Sequence, residues 1–303
     1  MSGSVIGGLV VPGLPHPLLA PDQNPGWRSL HNSFIKLRGV IEELRPDLLL
    51  LYSTQWASII GHQIQADPNP SWTLVDHDFY QLGTLRYSLR IDSEFAHAYE
   101  AAARGRGLTA RTVNYRGFPV DTGSVVALQL LDPDNSIPAC VVSCNMYADR
   151  AETIVLGKAA GDAVRSGGRR CLAVAVTSLS NRKWTHQIEP IDDRIHSQKD
   201  DEWNQKLLEL LSKGRLEDVS QLARQFTAQA YGDNKLKALW WLAACVGQNN
   251  GYMGEVHDYQ AVWGTGAALV SLIPEPVSGA DLEYDEDDVE NYQGDRSVLS
   301  LTS

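Results

Sequence analysis

Cysteine is scarce and scattered in this chain. Cys140, Cys144, Cys171 and Cys245 include no Cys-x-x-Cys pair, and each stands among apolar residues. The pattern fits neither a zinc knuckle nor a disulfide framework, and predicts buried free thiols in a reducing compartment. Long apolar runs are missing as well. The run LLLLY at 48–52 is far too short to cross a bilayer, so no membrane association is expected. The N-terminal MSGSVIGGLVVPG lacks the basic segment of a secretory leader, which points to a cytoplasmic protein. There is no surplus of positive charge. The formal net charge of −11 argues against nucleic acid as a partner, because phosphate neutralisation needs a cationic surface.

Common catalytic signatures are also lacking: there is no G-x-S-x-G, G-x-x-x-x-G-K-[ST] or H-E-x-x-H, and no G-x-G-x-x-G after a strand. The G-x-G of WGTGAAL (263–269) runs into an apolar, strand-like stretch and reads as a tight turn. The eight histidines are dispersed with no i, i+4 pair, and only His16 and His62 lie near strand-end loops.

What is present is an alternation. Apolar, β-branched segments at 5–11, 48–52, 139–143, 172–177 and 267–273 predict strands. Helical patterns fill 27–44, 94–105, 124–131, 152–166, 201–213, 216–230 and 235–246. The order implies an α/β fold, one domain with a central mixed sheet covered by helices on both faces. The stretch 66–85 is expected as a long loop or a small edge hairpin. Loops at the carboxyl ends of the strands are where open α/β sheets bind ligands, and VVPGLPHP and YSTQW are two such loops. The charge is concentrated at one end: eight acidic residues and no basic ones lie between Asp281 and Asp295. Residues 1–275 are therefore expected to form the domain. Residues 276–303 form an acidic tail with too little apolar content to offset its ordering entropy, disordered or docking on a partner.

The segments GGLVVPGLPHPLL and LRPDLLLLYSTQW resemble the first two strand–loop units of the class III (LigB-type) extradiol dioxygenases. In catalytic members these loops read roughly P-H-P-P-H and H-S-P-H-W. Each gives one histidine to a non-haem Fe(II), and a later glutamate completes the facial triad. Matched by position, this chain has Gly13 and Gln55 where the two histidines should stand. The glutamate falls near Gly232 or Asp233, an acid/base histidine near Asn181, and another site histidine near Thr122. The segments NYRGFPVDTGS, IDDRI, DDEWNQKLLELL and GTGAAL extend the likeness over about 5–273. They resemble the metal-free, α-type chains of two-component members that open aminophenol rings.

The resemblance implies a non-catalytic subunit with no metal of its own. It pairs with a homologous, Fe(II)-bearing catalytic β subunit in an α2β2 assembly that acts on an aminophenol- or catechol-like aromatic with O2. Two other readings stand beside it. One is a stand-alone enzyme with a displaced metal site, drawing on His16 or His62 with Asp233, or with metal-independent chemistry. The other is a regulatory protein that binds an aromatic metabolite, with a residual pocket formed by His16, Tyr52, Trp56, His62 and Tyr115. Gly13 can also be a loop residue needing positive φ, and Gln55 a bond to strand-end backbone. Asp121, Arg194 and Asp201 are expected in caps, turns and ion pairs. Adjacent on a helix, Trp240 and Trp241 point about 100° apart, so one can face the core and the other a partner.

Overall fold

The computed structural model describes residues 2–275 and 289–294. Its centre is an eight-stranded mixed sheet. In chain order the strands are β1 (Ser4–Val11), β2 (Leu48–Ser58), β3 (His62–Gln65), β6 (Ala110–Val113), β7 (Ala139–Asn145), β8 (Arg170–Val176), β9 (Tyr252–Val262) and β10 (Thr265–Pro274), and in space they run β6-β3-β7-β2-β8-β1-β10-β9. The inner four, β7, β2, β8 and β1, are parallel, so their carboxyl ends share one edge of the sheet. Strands β10 and β9 continue antiparallel beyond β1. A separate hairpin, β4 (Ser71–Val75) with β5 (Thr84–Ser88), occupies the stretch left open between loop and hairpin.

The all-apolar strands follow from cover on both faces. Leu48, Leu50 and Tyr52 enter one core and Leu49 and Leu51 the other, each fully buried. Their period of two serves two faces at once. The first face is covered by α3 (Ser93–Gly105), α5 (Arg150–Gly167), α6 (Gln198–Ser212), α7 (Leu216–Ala230) and α8 (Lys237–Val246). On the second face lie the short α1 (His16–Leu19), α2 (Pro25–Leu44) and α4 (Thr122–Leu131). Helix α2 shows why these segments are helical. Asn24 caps its first turn by accepting from Gly26 and Trp27 N–H, proline opens it, and Arg45 ends it in a left-handed conformation. Trp27, Leu30, Phe34, Leu37 and Ile41 form its buried stripe, each worth about 1.5–3 kcal/mol relative to exposure.

Several expectations need correction. Both Trp240 and Trp241 are buried: Trp240 Nε1 donates to the Ser220 carbonyl and Trp241 Nε1 to the Tyr99 hydroxyl. Helix α8 lies between α5, α7 and the sheet, so neither indole faces outward. Helix α8 starts at Lys237, two residues later than its pattern suggests, because Asn234, Lys235 and Leu236 all adopt left-handed backbone. The glycine turn at Trp263–Gly264 is as expected, with both residues at positive φ between β9 and β10. All four cysteines are buried and unpaired. Among the described residues no helix is long and apolar enough to cross a membrane. Of the acidic tail, residues 276–288 and 295–303 lie outside the described residues.

Candidate functional site

The carboxyl ends of β1, β2 and β8 converge on a cavity of about 750 Å³. An irregularity in β2 makes it possible. Ser53 pairs with Ser143 of β7 and the next partner pair is Ala57 with Cys144, so Thr54, Gln55 and Trp56 are looped out of that ladder. Such bulges re-aim side chains at strand ends, and all three residues line the cavity. The opposite wall is the start of α4, where Asp121 caps the helix by accepting from the Ser124 N–H at 3.0 Å. Phe79, Phe118, Leu74 and Pro119 supply apolar surface, and Lys183 sits at the rim 3.3 Å from Asp78.

Gln55, Thr122, Asn181 and Asp233 all line this one cavity, and Gly13 touches its Gln55 wall. Residues far apart in sequence thus meet where the resemblance places a metal centre. Gly13 does not have positive φ, so the loop explanation for it fails; close approach explains it. A methyl built on Gly13 would lie 2.8 Å from Gly123 Cα, 2.9 Å from a Val176 methyl and 3.0 Å from Gln55 Nε2. The space beside the first ligand position is filled by the helix start and the Gln55 amide.

Asp233 is the centre of a hydrogen-bond cluster. Its Oδ2 accepts from Thr54 Oγ1 at 2.6 Å, Thr177 Oγ1 at 3.1 Å and Ser178 N–H at 3.1 Å. Its Oδ1 accepts from Asn181 Nδ2 at 2.8 Å and Asn234 Nδ2 at 3.2 Å. Asn234 also donates to the Thr54 carbonyl at 3.0 Å, which ties the left-handed turn to the bulge. Backbone strain of this kind gathers at functional sites, where surrounding contacts hold it. The carboxyl group joins the ends of β2 and β8 to the start of α8.

As a ferrous site the arrangement is a poor fit. Gly13 offers no donor, Gln55 offers a neutral amide, and both oxygens of Asp233 are engaged by five hydrogen bonds. Two imidazoles and a free carboxylate, which non-haem Fe(II) requires, are not assembled here. Among the described residues no group of three or more His, Cys, Asp or Glu is placed to hold a metal ion.

The expected pocket residues part company. Only Trp56 lines the cavity, its ring 6.2 Å from that of Phe118. Tyr52, two residues before the bulge, points to the other face and stacks on Trp241 at 5.4 Å. His62 is buried there too, its Nε2 3.0 Å from Glu152 of α5. Tyr115 is 71% exposed. His16 is fully buried in a cage of Trp27, Phe79 and Trp263, behind the cavity wall. Neither of its ring nitrogens has a hydrogen-bond partner, and burial, then nearby Lys183, lowers its pKa to about 3. Neither His16 nor His62 can join Asp233 as a displaced metal set.

Asp121 is a more consequential residue than a cap. Its Oδ1 also accepts from Ser53 Oγ at 2.6 Å, joining α4 to β2. Burial pushes its carboxyl above the usual range, offset in part by the bonds from Ser124 and Ser53. Asp201 accepts from the Tyr259 hydroxyl at 2.7 Å, and the Arg194 guanidinium lies 5.6 Å from the Trp184 ring. Sequence reasoning missed Thr54, Thr177, Ser178 and Asn234 as donors and Gly123 as the close contact. Thr54, Asn234 and Gly123 adjoin residues already singled out, Thr177 and Ser178 lie within four positions of Asn181, and a carboxyl group at that depth needed donors.

Comparison with known proteins gives the family. The family described as "Catalytic LigB subunit of aromatic ring-opening dioxygenase" matches residues 11–270. The 2-aminophenol 1,6-dioxygenase alpha subunit of a Pseudomonas sp is 31% identical over 275 residues, covering 89% of this chain and 99% of that protein. The beta subunit, also from a Pseudomonas sp, is 31% identical over 289 residues, covering 89% and 94%. A crystal structure of the uncharacterized protein JW3007 from Escherichia coli K12 shares the fold, with a TM-score of 0.60 at 17% identity over 88% of this chain and 99% of that one. The chain belongs to the LigB family of aromatic ring-opening dioxygenase subunits.

Proposed function

We propose that this chain is the α-type, iron-free subunit of a cytoplasmic, heteromeric extradiol dioxygenase, and that a homologous β subunit carries the Fe(II) that opens an aminophenol- or catechol-like ring with O2. One observation carries the reading. The positions that would hold a ferrous ion are occupied by packing: Gly13 lies against Gly123 and Gln55, and Asp233 is spent on five protein donors. Identity to the alpha and beta chains of one two-subunit enzyme is equal at 31%, so the reading rests on the donor set. In this role Asp233 does by hydrogen bonding what a cation would do by coordination. It holds two strand ends and a helix start in one geometry, and the folded surface stays available to a partner. An obligate partner of this kind gains stability from assembly itself.

The test is purification of this chain alone, and together with a LigB-type catalytic chain, with iron content, subunit ratio and O2-dependent ring opening measured on each. The expected result is a 1:1 complex with one iron per pair, activity only in the complex, and less than about 0.1 iron in the isolated chain. Stoichiometric iron or ring opening by the chain alone would sink the proposal.

The preserved cavity favours a second reading. Its aromatic walls Trp56, Phe79 and Phe118 and its polar floor suit a small hydroxylated or aminated ring, bound without turnover as a regulatory ligand. A saturable thermal shift with 2-aminophenol, lost in Trp56→Ala, distinguishes this from a purely structural subunit.

A further inference from the structure

Residues 289–294 return to the body beside the junction of α3 and α5, beyond the family match that ends at residue 270. Val289 and Tyr292 pack against the core of the face covered by α3 and α5–α8. The Tyr292 N–H donates to the Arg106 carbonyl at 2.9 Å. Arg106 Nη1 donates to the Glu290 carbonyl at 2.5 Å and to its Oε2 at 3.0 Å, while Lys158 Nζ lies 2.6 Å from Glu290 Oε1.

The groove is shaped for this segment. Arg106 is oriented from behind by Asp162 of α5, with Nε to Oδ2 at 2.6 Å. Gly107 stands at φ +86°, and a Cβ there would lie 2.4 Å from the Tyr292 carbonyl oxygen, so only a glycine admits the chain so closely. Lys158, then Arg106, hold the Glu290 carboxyl below the usual range. In sequence, the segment is immediately preceded by four acidic residues, Asp285, Glu286, Asp287 and Asp288.

We propose that the Arg106–Lys158 groove is a docking site for an acidic segment bearing an aromatic residue, and that its occupant is the chain's own C-terminal extension, which straps α3 to α5. Exposed ion pairs contribute little one by one and are screened by salt. Two apolar contacts, two cations and covalent tethering act together instead, the tether raising the local concentration of the segment. The result is a reversible latch that closes a basic groove to other acidic partners. It stands or falls independently of the role proposed for the cavity.

Amide hydrogen exchange on the full-length chain tests it, read at Tyr292. At low ionic strength this amide is expected to exchange at least about tenfold more slowly than in an unstructured peptide, and to lose most of that protection in 1 M salt. Lys158→Glu should abolish the protection, and adding Glu290→Lys should restore it. Tyr292→Ala, which leaves both cations in place, should release the segment to proteolysis without changing the melting of the body. Tyr292 exchanging at the free-peptide rate in the unaltered chain, protection unchanged by Lys158→Glu, or failure of the double reversal would overturn the proposal.

Discussion

Gly13 and Gly123 meet at the wall of the cavity, so closely that a methyl on the first would lie 2.8 Å from Cα of the second. One glycine lies two residues beyond the end of β1 and the other belongs to the first turn of α4. Their contact occupies ground where a longer side chain at position 13 would have to stand.

Restoring donors by substitution should therefore fail. In Gly13→His/Gln55→His the new imidazole at 13 collides with backbone at Gly123 and with Val176. The expected outcome is a lower melting temperature, by about 1–3 kcal/mol of overpacking, and no stoichiometric iron by elemental analysis. Tight iron binding by the double variant, at unchanged stability, would show that α4 gives way easily.

Asp233→Ala removes the acceptor of five hydrogen bonds. Buried donors left unmet cost about 1–3 kcal/mol each before relaxation. A loss of roughly 3 kcal/mol in denaturant midpoint analysis is expected, with cavity ligand binding lost as well. A loss below about 0.5 kcal/mol would mean the cluster is not holding the strand ends.

His16 sets a pH limb. An unfolded chain protonates this imidazole below its ordinary value of 6.5, whereas the folded chain resists until about 3. Its folded pKa is depressed, so more protons bind to the unfolded state in that window and stability falls as pH drops through it. The contribution is complete above pH 6.5 and on the order of 3–5 kcal/mol over the whole window. His16→Phe keeps the aromatic cage filled and should flatten the acid limb of a stability–pH profile. An unaltered limb would assign acid sensitivity to other groups.

Trp56 and Tyr115 should behave oppositely. Trp56→Ala removes a buried indole and is expected to cost about 3 kcal/mol. Tyr115→Ala, at an exposed position, should stay within about 0.5 kcal/mol. Thermal melts of the two variants in parallel check the contrast.

Much of the architecture was legible because the inner strands are apolar on both faces and so carry an unbroken signal. Strand β9 escaped because it lies at the sheet edge and mixes polar with apolar residues, among them Glu255, Asp258 and Gln260. Strands β3 and β6 are four residues each, too short for a period to emerge. Within the site, Gln55, Thr122, Asn181 and Asp233, singled out by motif, all line one cavity. Tyr52 was misassigned because a strand alternates faces and a three-residue bulge in β2 decides which of its residues turn to the cavity, and His62, on β3, turns to Glu152 instead.

From the linear order of residues alone followed the α/β class, the positions of the strand-end loops and the absence of imidazoles at 13 and 55, because these depend on local pattern and side-chain identity. Only tertiary structure could decide that Gly13 rests on Gly123, that Asp233 gathers its donors from three loops, and that Glu290 reaches Arg106 and Lys158. All but the bond from neighbouring Asn234 join residues dozens to nearly two hundred positions apart, and no local periodicity encodes a distance across the fold.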